Sequence, residues 1–296
     1  MRYVEPIDLL DTLVINYNSV DSALSEWDPS KSDYALGNVV KVAADKKKYK
    51  LAASVVEAGA MPSQNPTIWQ GSPLSEYAMF EHKKSTLSQS LEGIKFSFSG
   101  AGVDTLYLQD IDGTQVSVHE KNEAGEILQT QTKDIYEYEI ASLGEYLFQR
   151  DTPKNRTIQF NINSLLVHTI EVEITGVCEC RYFIAGQKAE LGHTLVDGID
   201  YNLDDFFTQE RDAWGDIIWS DSRIIESATL PVLADNSVIN SNVNRLQFLQ
   251  GKPILWIADD REVVEFDFIN IFGRLLNVRV SPLINKSTKS LQIEGM

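Results

Sequence analysis

The stretch Ile170-Glu171-Val172-Glu173-Ile174-Thr175-Gly176-Val177-Cys178-Glu179-Cys180-Arg181-Tyr182-Phe183-Ile184 carries the clearest signal of fold class. Ile170, Val172, Ile174, Cys178, Cys180, Tyr182 and Ile184 share one parity, while Glu171, Glu173, Glu179 and Arg181 take the other. Successive side chains of a strand point to opposite faces, so this is the pattern of a strand with one buried and one wetted face. Both cysteines fall on the apolar parity and read as small core residues. Two cysteines are too few for a disulfide framework, and C-x-C without partner ligands nearby is not a zinc pattern. Such usage suits a reducing cytoplasm.

The alternation extends outward. Ile94, Phe96 and Phe98 alternate with Lys95, Ser97 and Ser99; Leu106 and Leu108 follow; Val116 and Val118 alternate with Gln115, Ser117 and His119. Lys121-Asn122-Glu123-Ala124-Gly125 has turn chemistry. Tyr136, Tyr138 and Ile140, then Ile158, Phe160 and Ile162, repeat the pattern. Short strands with turn signals between them predict an antiparallel sandwich or jelly roll over residues 76–186.

Residues 187–296 predict a β-rich domain with one helix near 236–250. Asp235 or Asn236 would cap it. Val238, Ile239, Val243, Leu246 and Leu249 form its apolar stripe, and Gly251 with Pro253 stops it. Strands are expected at Ile254–Ile257, Val263–Phe268, Leu275–Val280 and Leu291–Ile293. Residues 1–20 read as an N-terminal segment with one strand or short helix. Residues 21–75, with Pro29, Pro62, Pro66, Pro73, Gly37, Gly59 and Gly71, read as a compact turn-rich unit. The fold class is therefore mainly β, with small β domains in series.

The formal charge of −17 and pI near 4.6 argue against direct nucleic-acid binding, because such a surface repels phosphate backbones. The dense basic run Lys46-Lys47-Lys48 with Lys50 reads as a solvated turn or hairpin tip. Met1-Arg2-Tyr3-Val4-Glu5-Pro6 lacks the apolar core of a signal peptide. No run approaches about 18 apolar residues, so no membrane insertion is expected.

Catalytic signatures do not emerge. Gly100-Ala101-Gly102 is followed by Thr105 where a dinucleotide loop needs its third glycine. His82, His119, His168 and His193 are scattered without ligand spacing. Asp200-Tyr201-Asn202-Leu203-Asp204 opens like a calcium loop. Asp205 then stands at the turn-glycine position and Arg211 at the final glutamate, which leaves a polar loop between strands as the expectation. Paired carboxylates of a glycosidase are a matter of spatial separation and are not legible here. The expectation is a chain with no metal, no cofactor and no enzymatic activity.

Two segments resemble known families. Trp27, Tyr34, Gly37, Val39-Val40, Tyr49, Pro66 and Trp69 stand in an order similar to the small chitin-binding-type carbohydrate-binding module. The resemblance implies a compact fold in which Trp27, Tyr34, Tyr49 and Trp69 either stack on sugar or form the unit's own core, the latter being favoured. Thr67-Ile68 and the insertion Val55–Gln64 depart from the pattern. Leu191, Gly192, Thr194, Gly198, Asp200, Tyr201, Glu210, Asp212, Trp214, Gly215, Arg223, Pro253, Trp256 and Ile257 follow an order similar to a domain of tailed-phage virion proteins. Trp214 stands where that family more often has Phe, and His193 is a departure.

That second resemblance implies a structural protein of the tail, baseplate, collar or fibre-attachment region. It would be made in the host bacterial cytoplasm, located in the virion, and partnered by other tail proteins and copies of itself. On this reading Asp200, Glu210, Asp212 and Arg223 would form an ion-pair network that fixes two loops or meets a neighbouring subunit. The alternative is a receptor-binding protein that grips cell-surface glycan through Trp27, Tyr34, Tyr49 and Trp69. A third reading, an accessory chain of a carbohydrate-active enzyme, lacks a recognisable catalytic domain in residues 76–296.

Overall fold

A computed structural model describes residues 1–31, 34–53, 61–83, 86–135, 157–162, 167–195, 197–206, 209–211, 217–219, 224–258, 269–282 and 285–296. The protein is mainly β. It divides into two compact units, one of Asp8–Ile184 and one of Met1–Ile7 with Ala185–Met296. The sequence places its last boundary between residues 186 and 187. The division by contacts falls between Ile184 and Ala185, and it joins Met1–Ile7, with β1 (Arg2–Pro6), to the C-terminal residues.

In the Asp8–Ile184 unit the strands are β2 (Val14–Ile15), β3 (Val39–Val42), β4 (Lys47–Leu51), β5 (Trp69–Pro73), β6 (Ser88–Ser90), β7 (Ile94–Ser99), β8 (Thr105–Asp112), β9 (Gln115–Lys121), β10 (Ile127–Asp134), β11 (Thr157–Asn161) and β12 (Thr169–Thr175). The first part of β13 (Cys178–Glu190) also belongs to it. One antiparallel sheet has the order β10-β9-β12-β7-β2, and a second layer has β11-β8-β13 with β6 on β13. The strands β7, β9 and β12 alternate buried and half-buried residues along their whole length, as a sandwich face requires. Phe96 and Phe183 meet edge to face at 4.8 Å, and Phe80 packs edge-on against both.

The quoted stretch Ile170–Ile184 is two strands, not one. Gly176, at φ +92°, and the exposed Val177 turn the chain between β12 and β13. The apolar parity survives the turn because both strands aim that parity inward. Cys178 and Cys180 are free thiols and buried, and burial raises both thiol pKa values, Cys178 to about 11. On the outer face Glu171 accepts from Lys121 at 3.0 Å and pairs with Lys95 at 3.3 Å.

The small sheet β3-β4-β5 encloses its own core of Val40, Val42, Tyr49, Leu51 and Trp69. The basic run lies where the chain enters β4: Lys46 takes a left-handed conformation after a 3-10 turn, and Lys48 pairs with Asp21 at 2.7 Å. The expected strand around Tyr136, Tyr138 and Ile140 lies outside the described residues.

The C-terminal unit adds β14 (His193–Thr194), β15 (Asp200–Asp205), β16 (Gln209–Arg211), β17 (Ile217–Trp219), β18 (Ile224–Asp235), helix α1 (Ile239–Leu249), β19 (Pro253–Ile257), β20 (Ile271–Pro282) and β21 (Lys286–Gly295). Its sheet runs β13-β1-β19-β20-β21-β18, with β14 and β15 both on the far side of β18. Tyr3, Leu230, Val232, Leu246, Leu249, Trp256, Leu291 and Ile293 form its core.

The helix departs from expectation at its start. Asn236–Val238 is a 3-10 turn, and neither Asp235 nor Val238 makes a side-chain cap hydrogen bond. Val238 is exposed, whereas Asn242 is buried with Leu246 and Leu249. The predicted strand Val263–Phe268 lies outside the described residues.

Candidate functional site

The first residues of the phage-like pattern lie in the C-terminal unit, at the turn from β13 into β14. Gly192 has φ +137°, and a Cβ there would lie 2.3 Å from the Leu233 carbonyl oxygen of β18. Only glycine allows both the conformation and the approach. Hydrogen bonds surround the turn. Leu191 N–H donates to Met1 O at 3.1 Å, and the Met1 amino group donates to Gly192 O at 2.6 Å. Leu191 O accepts from Asn242 Nδ2 at 3.1 Å and from Lys289 Nζ at 3.4 Å. Thr194 Oγ1 donates to Ala258 O at 2.8 Å, just past β19.

Lys289 sits on the inner face of β21, between Ser287 and Leu291, and is fully buried. Desolvation lowers its pKa. A groove of about 360 Å³ lies beside the turn, with Glu190, His193, Asp235, Asn242, Arg245 and Lys286 among its walls. It mixes both signs of charge and so shows no selectivity for one.

The other pattern residues are distributed as follows. Gly198, at φ +91°, leads into β15. Asp200–Asp205 is a strand paired with β18, not the polar loop expected from sequence. In the sequence the density of acidic residues outweighs the alternation of Tyr201 and Leu203 with Asp200, Asn202 and Asp204. Tyr201 is half-buried against the core. Burial, then the charge and hydrogen bond of Glu226, push its pKa up to about 12. Trp256 is fully buried, and its Nε1 donates to Gly273 O at 3.1 Å. Glu210 lies on β16, opposite Ile218. Asp212, Trp214, Gly215 and Arg223 lie outside the described residues, and with them most of the expected ion-pair network. No protein-family model matches this chain, and no curated protein or solved structure matches it either.

The four aromatic residues near the N-terminus do come together. Tyr49 and Trp69 are buried, at 5% and 1% exposure, and Trp27 and Tyr34 pack on them half-buried. Tyr34 meets Trp69 edge to face at 5.5 Å. The Tyr34 hydroxyl accepts from Asp28 N–H at 2.9 Å, and Tyr49 donates to Asp45 at 3.0 Å. Trp69 and Tyr49 therefore present no ring face to solvent, and only Trp27 and Tyr34 keep accessible area.

Sequence reasoning passes over Met1, Asn242 and Lys289. A polar residue on the apolar parity of a strand or helix, as at Lys289 between Ser287 and Leu291, is the available signal. Among the described residues no three metal-ligating side chains gather, and no helix is long and apolar enough to cross a membrane.

Proposed function

We propose that this chain is a non-enzymatic structural component of a tailed-phage particle. It would be built into the tail, baseplate, collar or fibre-attachment region through other tail proteins and copies of itself. The observation that supports the reading is the role of the pattern residues. Leu191, Tyr201 and Trp256 pack in or against the core of one β-rich unit, and Gly192 lets its chain turn against β18. Exposed strand edges can pair with another chain, and assemblies of identical chains are mostly symmetric. Mass spectrometry of purified particles from a phage that encodes this chain tests the proposal. The chain is expected in stoichiometric amount, and particles without it refute the reading.

A second reading, recognition of cell-surface glycan, retains one supporting observation: the half-exposed rings of Trp27 and Tyr34. A glycan array with the wild type and Trp27→Ala examines it. Binding lost in a folded Trp27→Ala supports it, and a wild type that binds nothing ends it. Trp69→Ala is unsuitable, because that ring is part of the core.

A further inference from the structure

We propose that the C-terminal unit joins copies of this chain head to tail, by pairing the β15 edge of one copy with the β20 edge of the next. The inference rests on the assembly reading for its biological setting, but its chemistry is a property of the purified chain.

Among the described residues β15 and the second half of β20 each have an open side, as do the shorter strands β14, β16 and β17. Among the described residues β15 has β18 as its strand partner. β20 pairs with β21 along its length, but on its other side β19 covers it only as far as Arg274, so Leu275–Pro282 has no described neighbour there. Open strand edges offer unpaired N–H and C=O groups to another strand. Both edges are also apolar in part: Leu203 is 55% exposed, and Val280 is 37% exposed.

The edges complement each other in three independent ways. The first is direction. In the order β20-β21-β18-β15 every pair is antiparallel, so β15 runs opposite to β20. A second copy set beside the first in the same orientation places its β20 antiparallel to β15 and continues the sheet. The second is face. Asp200, Asn202 and Asp204 lie opposite Thr229, Ser227 and Ile225 of β18, on the side away from the core residues Ala228 and Leu230. Arg279 pairs with Ser290 of β21, on the side away from Leu291, so it shares that outer face.

The third is charge. With Asn202 opposite Arg279, the arginine lies diagonally between Asp200 and Asp204, within reach for a long side chain. On the inner face Leu203 then meets Val278, and Tyr201 meets Val280. Arg279 is exposed and makes no ion pair among the described residues, unlike Arg274 on the same strand, which pairs with Glu294. The self-complementary alternatives are disfavoured: β15 against β15 sets aspartates together, and β20 against β20 sets arginines together. A heterologous contact of this kind closes into a ring or runs on as a filament.

Sedimentation velocity from low micromolar concentration to the solubility limit tests this, with circular dichroism to confirm folding of each variant. Wild type is expected to form concentration-dependent oligomers. Arg279→Asp and the double variant Asp200→Lys with Asp204→Lys should each weaken association about tenfold or more, because attractions become repulsions. An equimolar mixture of the two variants should recover it, since each supplies the edge that the other lacks. A wild type monomeric throughout overturns the proposal, as does association indifferent to Arg279→Asp or a mixture that stays dissociated. Oligomers from a chain absent from phage particles would leave the seam intact and remove the phage setting. A monomeric chain present in particles would do the reverse.

Discussion

Gly192→Ala puts the frame of the C-terminal unit to a quantitative test. The added Cβ would lie 2.3 Å from Leu233 O and 3.1 Å from Leu233 C, both backbone atoms with no rotamer to change. The turn and β18 would have to separate by roughly 0.7 Å to relieve the closest contact. That movement pulls on the His193–Leu233 pair and on the hydrogen bonds that Asn242 and Lys289 donate to Leu191 O. Left-handed strain at a non-glycine residue costs about 1–2 kcal/mol. Each disturbed hydrogen bond adds about 1 kcal/mol. The expected loss is therefore about 3–5 kcal/mol, a drop of roughly 12–20 °C in the melting temperature of a domain of this size. Gly251→Ala is the control: Gly251 has φ +81°, and a Cβ added there would meet nothing within 4 Å, so only the conformational cost of about 1–2 kcal/mol applies. Differential scanning calorimetry and urea titration of both variants measure the difference. Equal losses at the two glycines would show that the close approach to Leu233 carries no cost.

Trp69→Ala should destabilise the small β3-β4-β5 sheet by about 3–5 kcal/mol, seen as early protease cleavage in residues 21–75, because it empties the centre of that core. Lys289→Met should stabilise the C-terminal unit by about 1 kcal/mol or more at neutral pH, since it removes a buried charge whose hydrogen bond to Leu191 O is long. The folded-state pKa of Lys289 lies below its unfolded value near 10.5. The unfolded chain therefore binds the extra proton, wild-type stability rises with pH in that window, and the gap to Lys289→Met should narrow as pH approaches 10.5. His82 is also held low, chiefly by desolvation, while its Nε2 contacts Phe183 O at 3.0 Å. Its contribution is present above the unfolded value near 6.5 and is lost as pH falls through the lower folded value. Denaturation at stepped pH below 6.5 should show a steeper loss in wild type than in His82→Asn, a substitution that tolerates the residue's φ of 52°.

Much of the sandwich is legible because a half-buried sheet writes its two faces into alternate residues. Val116 and Val118 on β9, and Ile170 and Val172 on β12, are buried where parity places them. The same signal misleads at Asp200–Asp205, where a strand carries polar residues at most positions and lacks a fully buried face. The helix is legible from Leu246, Leu249 and Gly251, but its start is not, because a 3-10 turn takes the place of a side-chain cap.

Local sequence was enough for the β class, the burial of the cysteines and the place of the helix. These follow from periodicity and from stop signals within a few residues. Which strands lie side by side, why Gly192 must be glycine, and how Lys289 reaches Leu191 O emerge only in the folded chain. Each depends on groups far apart in sequence: Gly192 on Leu233, Leu191 on Met1, Asn242 and Lys289, and β15 on β18. Spacing within one strand carries no information about the strand that will lie beside it, and for this chain that neighbour sets the frame.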